Sequence, residues 1–230
     1  MDSWKKKTAL FLGSQMISLF GSSIVQYAIM WHITLQTASG VMMTLILICG
    51  FIPTFLLLPF AGVWADRYNR KLLIAAADGM IAAATLVMAL LFLMGYGSLW
   101  LLFVMSAIRA VGSAIQTPAV SAFLPQMVPQ DRLTRVNGIN GSLLAANMLV
   151  APMVSVALLS VTTLEIIFFV DVCTAAVAIF ILLAWLRVPA HRKAAASRQI
   201  GYLDDLKQGF VYIRDHAFFK PFFFCAVFVF

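Results

Sequence analysis

Charge is what this sequence has least of. Asp, Glu, Lys and Arg make up only 11% of its 230 residues, whereas water-soluble globular chains carry about one-quarter. So few charges cannot cover the surface of a domain this size, which excludes a water-soluble globule. Cysteine is scarce as well: Cys49, Cys173 and Cys225 lie inside apolar runs without close spacing, which suggests neither a disulfide framework nor a zinc site. The sequence has no G-x-x-x-x-G-K-[ST] phosphate cradle, so these residues hold no nucleotide-driven pump. Nor is there a G-x-S-x-G nucleophile elbow, a pair of catalytic carboxylates or a metal-ligand helix, so no enzyme activity, metal or other cofactor is expected. A cleavable leader is not expected either. MDSWKKK resembles a charged n-region, but the apolar run from Leu10 to Leu35 is too long for an h-region.

What the sequence has in excess is apolar residues, at 63% with a mean hydropathy of +0.97. They form long runs rather than alternating stripes, and runs of about 18 or more read as bilayer spans. Spans are predicted at Thr8–Leu35, Val41–Trp64, Leu72–Met94, Leu99–Val120, Asn137–Leu159 and Glu165–Leu186, with a seventh opening near Phe218. From there to Phe230 the helix reaches only roughly 20 Å, short of the roughly 30 Å hydrocarbon core. A chain truncated in helix 7 is therefore expected. Three segments follow: residues 1–190 as an N-terminal six-helix bundle, 191–217 as a cytoplasmic linker, and 218–230 as the start of the seventh helix. Within the linker Leu203, Leu206, Phe210 and Ile213 recur at helical spacing among charges, which predicts an amphipathic surface helix.

The net charge of +7 raises a nucleic-acid reading, and its distribution argues against one. Lys5, Lys6, Lys7, Arg67, Arg70, Lys71, Arg132, Arg135, Arg187, Arg192, Lys193 and Arg198 cluster before span 1, in alternate connections, and after span 6. The other connections, Gln36–Gly40, Gly95–Ser98 and Ser160–Leu164, contain no Lys or Arg. By the positive-inside rule the N-terminus and the loop after span 6 are cytoplasmic, and anionic lipid headgroups account for the clusters. Trp4, Trp31, Trp64, Trp100 and Trp185 each fall near a span end, where indoles prefer the headgroup zone.

Polar residues at membrane depth carry the information about function, because an ionised side chain near the bilayer centre costs about 2.5–3.5 kcal/mol even on the permissive scale. Arg109 lies mid-span 4 on one face with Ser106, Ser113 and Gln116. It either ties helices together through carbonyls and an acidic neighbour, or lines a polar route and tunes a proton-carrying carboxylate. Asp78 is the leading proton-coupling candidate, with permanent pairing to an arginine as the plain alternative. Asp171, and Glu165 at the mouth of span 6, are weaker because interfaces tolerate charge. Cavity-lining candidates come from stripes on three spans: Gln15, Ser18, Ser22 and Gln26 on span 1, Ser113 and Gln116 on span 4, and Asn140 and Asn147 on span 5. Each stripe alone could be interhelical glue; together they predict one shared water-filled cavity. His32 beside Trp31 reads as interfacial. A faint repeat links Gly21-Ser22-Ser23-Ile24 to Gly112-Ser113-Ala114-Ile115, and Asp78 to Asp171, as two inverted three-helix repeats would.

The segment GVWADRYNRK, Gly62 to Lys71, resembles the GxxxDRxGRK signature of the major facilitator superfamily. Gly62, Asp66, Arg67, Arg70 and Lys71 match, and Asn69 replaces a glycine. Asparagine tolerates left-handed backbone better than most residues, which makes the change mild. FIPTFLLLPFAGVWADRYNRKLLIAAADGMIAAA and AIRAVGSAIQTPAVSAFLPQMVP look like the corresponding segments of macrolide-efflux-type proton antiporters. The resemblance implies an all-α integral membrane fold: the six-helix N-terminal bundle of a twelve-helix transporter, built from two inverted three-helix repeats. It also implies alternating access in the bacterial cytoplasmic membrane, with protons and a small amphipathic substrate as partners, alongside the lipid bilayer and a missing C-terminal six-helix half. Gly62, Asp66, Arg67, Arg70 and Lys71 would then form a cytoplasmic gate, and Arg109 would stand at the span-4 arginine, its glycine following after three residues rather than four. The span-5 antiporter pattern is degraded, with Ala151-Pro152 in place of Gly-Pro and Ser155 lacking the following glycines. The function expected is proton-coupled efflux of amphipathic drugs such as macrolides. The alternatives are export of a siderophore, lysophospholipid or other metabolite on the same fold, or a non-transporting half-transporter.

Overall fold

A computed structural model describes residues 3–186. They form α1 (Ser3–Thr37), α2 (Gly40–Arg67), α3 (Arg70–Leu93), α4 (Leu99–Met127), α5 (Leu133–Val161) and α6 (Leu164–Trp185), with a single 3-10 turn, Gln130–Arg132, before α5. All six are long and apolar enough to cross a bilayer. The expected linker at 191–217, its amphipathic helix and the opening of a seventh helix at 218–230 lie outside the described residues.

The helices begin and end beyond the apolar runs. α1 starts at Ser3 rather than Thr8, α4 continues to Met127 rather than Val120, and α5 starts at Leu133 rather than Asn137. Hydropathy marks where side chains meet hydrocarbon, whereas backbone hydrogen bonding carries a helix on into the headgroup zone. Pro118 and Pro125 lie inside α4 without ending it. Asn69 does not use the left-handed conformation that its place in the signature suggested. At φ −66°, ψ 108° it is the N-cap of α3, its side chain accepting from the Lys71 amide and satisfying one of the unpaired donors of the first turn.

Packing follows the pairs α2 with α4, α4 with α3, α3 with α6, α6 with α1, and α1 with α5. Exchanging α1 with α4, α2 with α5 and α3 with α6 maps this order onto itself. Because each repeat holds an odd number of spans, the two repeats run in opposite senses, and the fold is two inverted three-helix units. α1, α3, α4 and α6 form the interior. Only 6% of the most apolar stretch of α2 and 11% of that of α5 are buried, against 50% for α1, so α2 and α5 flank the bundle.

Lipid offers little hydrophobic drive for helix association, so close approach depends on small residues. Gly21 of α1 sits 3.3 Å, measured from an ideal Cβ, from Asp171 Cα of α6, and that Cβ would overlap Thr174. Gly112 of α4, its repeat counterpart, sits 3.3 Å from the Ala77 carbonyl of α3, and a Cβ there would overlap Ile81. Asp171 precedes Thr174 by three residues, as Asp78 precedes Ile81. The glycine contacts therefore bring each aspartate to the same depth in its own repeat.

The core has two apolar layers. One contains Phe11, Ile74, Phe123 and Leu182; the other contains Ile24, Met88, Leu102 and Phe168. On each inner helix the buried polar residues other than Thr8, among them Gln15 and Ser18, Asp78 and Thr85, Ser106, Arg109 and Gln116, and Asp171, fall between these two sets. Substituting Gly21→Val should lower the stability of the detergent-solubilised bundle by about 1–3 kcal/mol through overpacking. Gly62→Val, where a Cβ meets nothing within 4 Å, should leave it unchanged; thermal unfolding followed by circular dichroism distinguishes the two.

Candidate functional site in the buried polar layer

The first half of the layer is built around Arg109, which is 4% exposed, and Asp171, at 0%. Arg109 Nη1 donates to Asp171 Oδ2 and to Thr85 Oγ1, and Nη2 donates to the Ser22 carbonyl at 3.0 Å. Asp171 further accepts from the Thr85 hydroxyl at 2.8 Å and from the Ser22 hydroxyl at 2.7 Å. Four helices thus converge on one carboxylate. Two buried charges hold together only when geometry and additional hydrogen bonds offset their desolvation. This network supplies those bonds to the carboxylate and to both terminal guanidinium nitrogens, with Arg109 Nε left buried and without a partner. The pairing matches the plain reading of Arg109, an arginine tied to a carbonyl and an acidic neighbour. That neighbour is Asp171 rather than Asp78.

The second half surrounds Asp78, which is 1% exposed. Its Oδ1 accepts from Ser18 Oγ at 3.0 Å and from Gln116 Nε2. Oδ2 is buried with no hydrogen-bond partner, and both amide atoms of nearby buried Gln15, one turn before Ser18, are also without one. No cation contacts this carboxyl among the described residues. By helical rise Asp78 lies about 12 Å along α3 from Arg70, and Asp171 about 10 Å along α6 from Leu164, entering from opposite ends of the bundle.

The repeat explains the contrast between the two aspartates. Ser18 stands three residues before Gly21, as Arg109 stands three before Gly112. The Ser18–Asp78 bond is therefore the pseudo-symmetric image of the Arg109–Asp171 pair, with a hydroxyl where the other repeat has a guanidinium. One aspartate has a guanidinium partner in this structure and the other does not.

Arg109 also faces a cavity of about 400 Å³ between α1, α2 and α4, whose lining includes Ser22, Gln26, Gly50, Thr54 and Ser113. Thr54 Oγ1 donates to the Ala110 carbonyl at 3.3 Å, joining α2 to α4 at its wall. Next to this wall Phe51 and Phe55 of α2 stack at 5.9 Å and stay largely exposed. The void therefore has a polar floor at Arg109 and an apolar rim.

The candidates predicted for one shared cavity divide among several places. Gln15, Ser18 and Gln116 surround Asp78, while Ser22, Gln26 and Ser113 line the void. Asn147 Nδ2 donates to Ser23 Oγ at 2.9 Å as interhelical glue, and Asn140 is only half-buried on α5. Span 5 lies outside the polar layer and ties to α1 also through Ser155, which donates to the Ile24 carbonyl at 3.0 Å, and α2 supplies the wall expected of it. Thr85 was missed, although it lies two turns after Asp78 on the same helix. Thr54 was also missed, being one of two threonines in an otherwise apolar span.

At one end of the bundle the Gly62–Lys71 segment ties helix termini together. Arg70 donates to Asp66 Oδ1 at 3.0 Å, to the Ala65 carbonyl at 2.7 Å and to the Ala122 carbonyl of α4 at 2.7 Å. Lys71 Nζ donates to the carbonyls of Leu183 and Leu186 at 3.0 and 2.8 Å. Carbonyls left unpaired at helix C-termini are natural partners for such cations. Asp66 is largely exposed, so its ion pair adds little stability here. Gly62 borders open space.

Residues 11–230 match the family profile described as Major Facilitator Superfamily. The chain is 31% identical to macrolide efflux protein A of Streptococcus pyogenes over 215 residues, which cover 94% of this chain and 53% of that protein. It is also 31% identical to macrolide efflux protein A of Enterococcus faecalis over 167 residues, 73% of this chain and 51% of that protein. Over 124 residues it is 26% identical to the staphyloferrin A transporter of Staphylococcus aureus, covering 52% of this chain and 30% of that protein. The chain spans about half the length of the two macrolide efflux proteins.

Removing one partner of the buried pair leaves the other uncompensated. Arg109→Gln alone should destabilise the bundle by about 3–5 kcal/mol, and adding Asp171→Asn should recover much of that loss. A double-mutant cycle on the purified chain measures the coupling; simple additivity would mean that the two side chains do not act as a pair.

Proposed function

We propose, from the premise that this chain belongs to the major facilitator superfamily, that it is the N-terminal bundle of a proton-coupled exporter of amphipathic compounds such as macrolides. It sits in the bacterial cytoplasmic membrane with its N-terminus in the cytoplasm, and a second six-helix bundle completes the transporter. The observation that carries the coupling is Asp78, a buried carboxyl with no cation partner whose repeat counterpart has one. Burying the neutral acid costs far less than burying the carboxylate. A protonated Asp78 is therefore at home in the closed layer, and a deprotonated one favours a conformation that gives it water or a charge. Each proton loaded or released thus biases the bundle between two states, as alternating access requires. Asp171 serves as the fixed counter-ion of Arg109 and does not carry the proton.

The void between α1, α2 and α4 is the substrate subsite. Its apolar rim suits the hydrophobic body of a macrolide, and its polar floor suits hydroxyl and ether groups. The little-buried faces of α2 and α5 receive the second bundle, and the Gly62–Lys71 segment forms the cytoplasmic gate between the two. The macrolide efflux relatives favour this cargo. Likeness to the staphyloferrin A transporter favours a second reading, a siderophore as substrate of the same route.

The test uses an efflux-deficient bacterial host expressing the chain together with the residues that follow it in its gene. Macrolide accumulation should rise to the empty-vector level when a protonophore is added and in Asp78→Asn, while Asp78→Glu should retain part of the export. The 230-residue chain alone should give no export. Uphill export that survives both the protonophore and Asp78→Asn would sink proton coupling through this residue, and a siderophore substrate panel decides between the two cargoes.

A further inference from the structure

At the end of the bundle that bears the N-terminus, a cavity of about 690 Å³ separates the first turns of α1 from the start of α5. Lys5, Arg132 and Arg135 line it, with Asp131 as the single acid among the described residues. Asp131 pairs with Arg132 through Nε at 2.9 Å, and among the described residues the terminal Nη atoms of Arg132 make no hydrogen bond. Two long helices present their N-termini here, α1 from Ser3 and α5 from Leu133. Neither α1 nor α5 has an acidic residue in its own first turn, and the N-cap of α5 makes no side-chain capping bond, although the 3-10 turn that leads into α5 carries Asp131 and its Gln130 carbonyl takes the Leu133 amide. Helix N-termini carry partial positive charge and uncapped amide donors, which suits an anion. Thr8, also in the lining, is 4% exposed, and its hydroxyl finds no partner, an unusual state for a buried polar group.

The remaining walls narrow the choice of anion. Trp4 stands over one side, with Lys5 Nζ 5.8 Å from its ring centroid, and Ala9, Leu12 and Ile139 form an apolar floor. A free phosphate ion has no use for that floor, whereas a phospholipid does. The phosphate would lie among the cations and helix ends, the glycerol beside the indole, and the root of an acyl chain on the apolar residues. We infer that this cavity is a binding site for the phosphate group of an anionic phospholipid. It lies apart from the polar layer, on the far side of the Phe11–Phe123 apolar layer, and its occupant braces α1 against α5, the contact that holds the outermost helix on this side.

The 230-residue chain, purified in non-ionic detergent and stripped of lipid, is mixed with equal amounts of phosphatidylglycerol and phosphatidylcholine carrying identical acyl chains. Native mass spectrometry then counts the lipids retained. Phosphatidylglycerol should be retained several-fold over phosphatidylcholine, and Arg135→Gln should lower its retention about five-fold, the effect of one basic residue near the surface. Arg135 is exposed, so its replacement leaves packing intact, and Arg132→Gln repeats the test independently. Equal retention of the two lipids, or retention in both variants equal to that of the unaltered chain, would overturn the proposal. Displacement of phosphatidylglycerol by millimolar inorganic phosphate would overturn the lipid assignment in favour of a soluble phosphate ligand.

Discussion

The buried pair of Arg109 and Asp171 is the interaction on which the rest of the bundle depends. Each charge alone would be untenable at this depth, and together they need every hydrogen bond that Thr85 and Ser22 provide. Those partners come from α1, α3, α4 and α6, so satisfying one electrostatic requirement sets the mutual placement of the four inner helices. The glycines serve the same end. Gly21 lets α1 come close enough for Ser22 to reach Asp171, and Gly112 brings α4 equally close to α3.

Lipid changes what each contact contributes. Apolar side chains gain little by leaving hydrocarbon for a helix interface, so the two apolar layers give shape and packing more than driving force. Specificity rests on the polar layer between them, where a misplaced donor has no water to fall back on. The exposed apolar faces of α2 and α5 carry no such penalty, because lipid or a second bundle can cover them equally well. At the end that bears the Gly62–Lys71 segment, Arg70 and Lys71 bond the carbonyls that helices leave unpaired. The same residues thus brace this bundle while Asp66 stays exposed.

Function, as proposed, comes from broken symmetry. Two inverted repeats place an aspartate at matching positions, and one substitution, arginine against serine, assigns them different work. The aspartate with a guanidinium partner becomes structural. The other, with a serine, a glutamine and an unpaired oxygen around it, is left free to change its protonation state. A bundle with two paired aspartates would be more rigid, and one with none would have nothing to fix its helices.

Hydropathy determined on its own the six membrane spans found among the described residues, because it depends only on local composition and on the order of residues, whereas the two inverted repeats showed in the sequence only as a faint motif echo and through the family resemblance. The Gly62–Lys71 segment was legible through its resemblance to a family signature, and Asp78 and Arg109 as charges at membrane depth; Asp171, read as near an interface that tolerates charge, is instead fully buried. Partner choice was not. Whether Arg109 meets Asp78 or Asp171 depends on helix rotation and on which helices are neighbours, and the packing order skips between repeats rather than following the chain. The polar stripes of spans 1 and 4 reached the interior and that of span 5 did not, since a helix presents a stripe to whatever lies beside it. Thr85 acquires its role only from the two charges that the fold places on either side of it. Linear spacing can put residues on one face of a helix; only packing decides what that face meets.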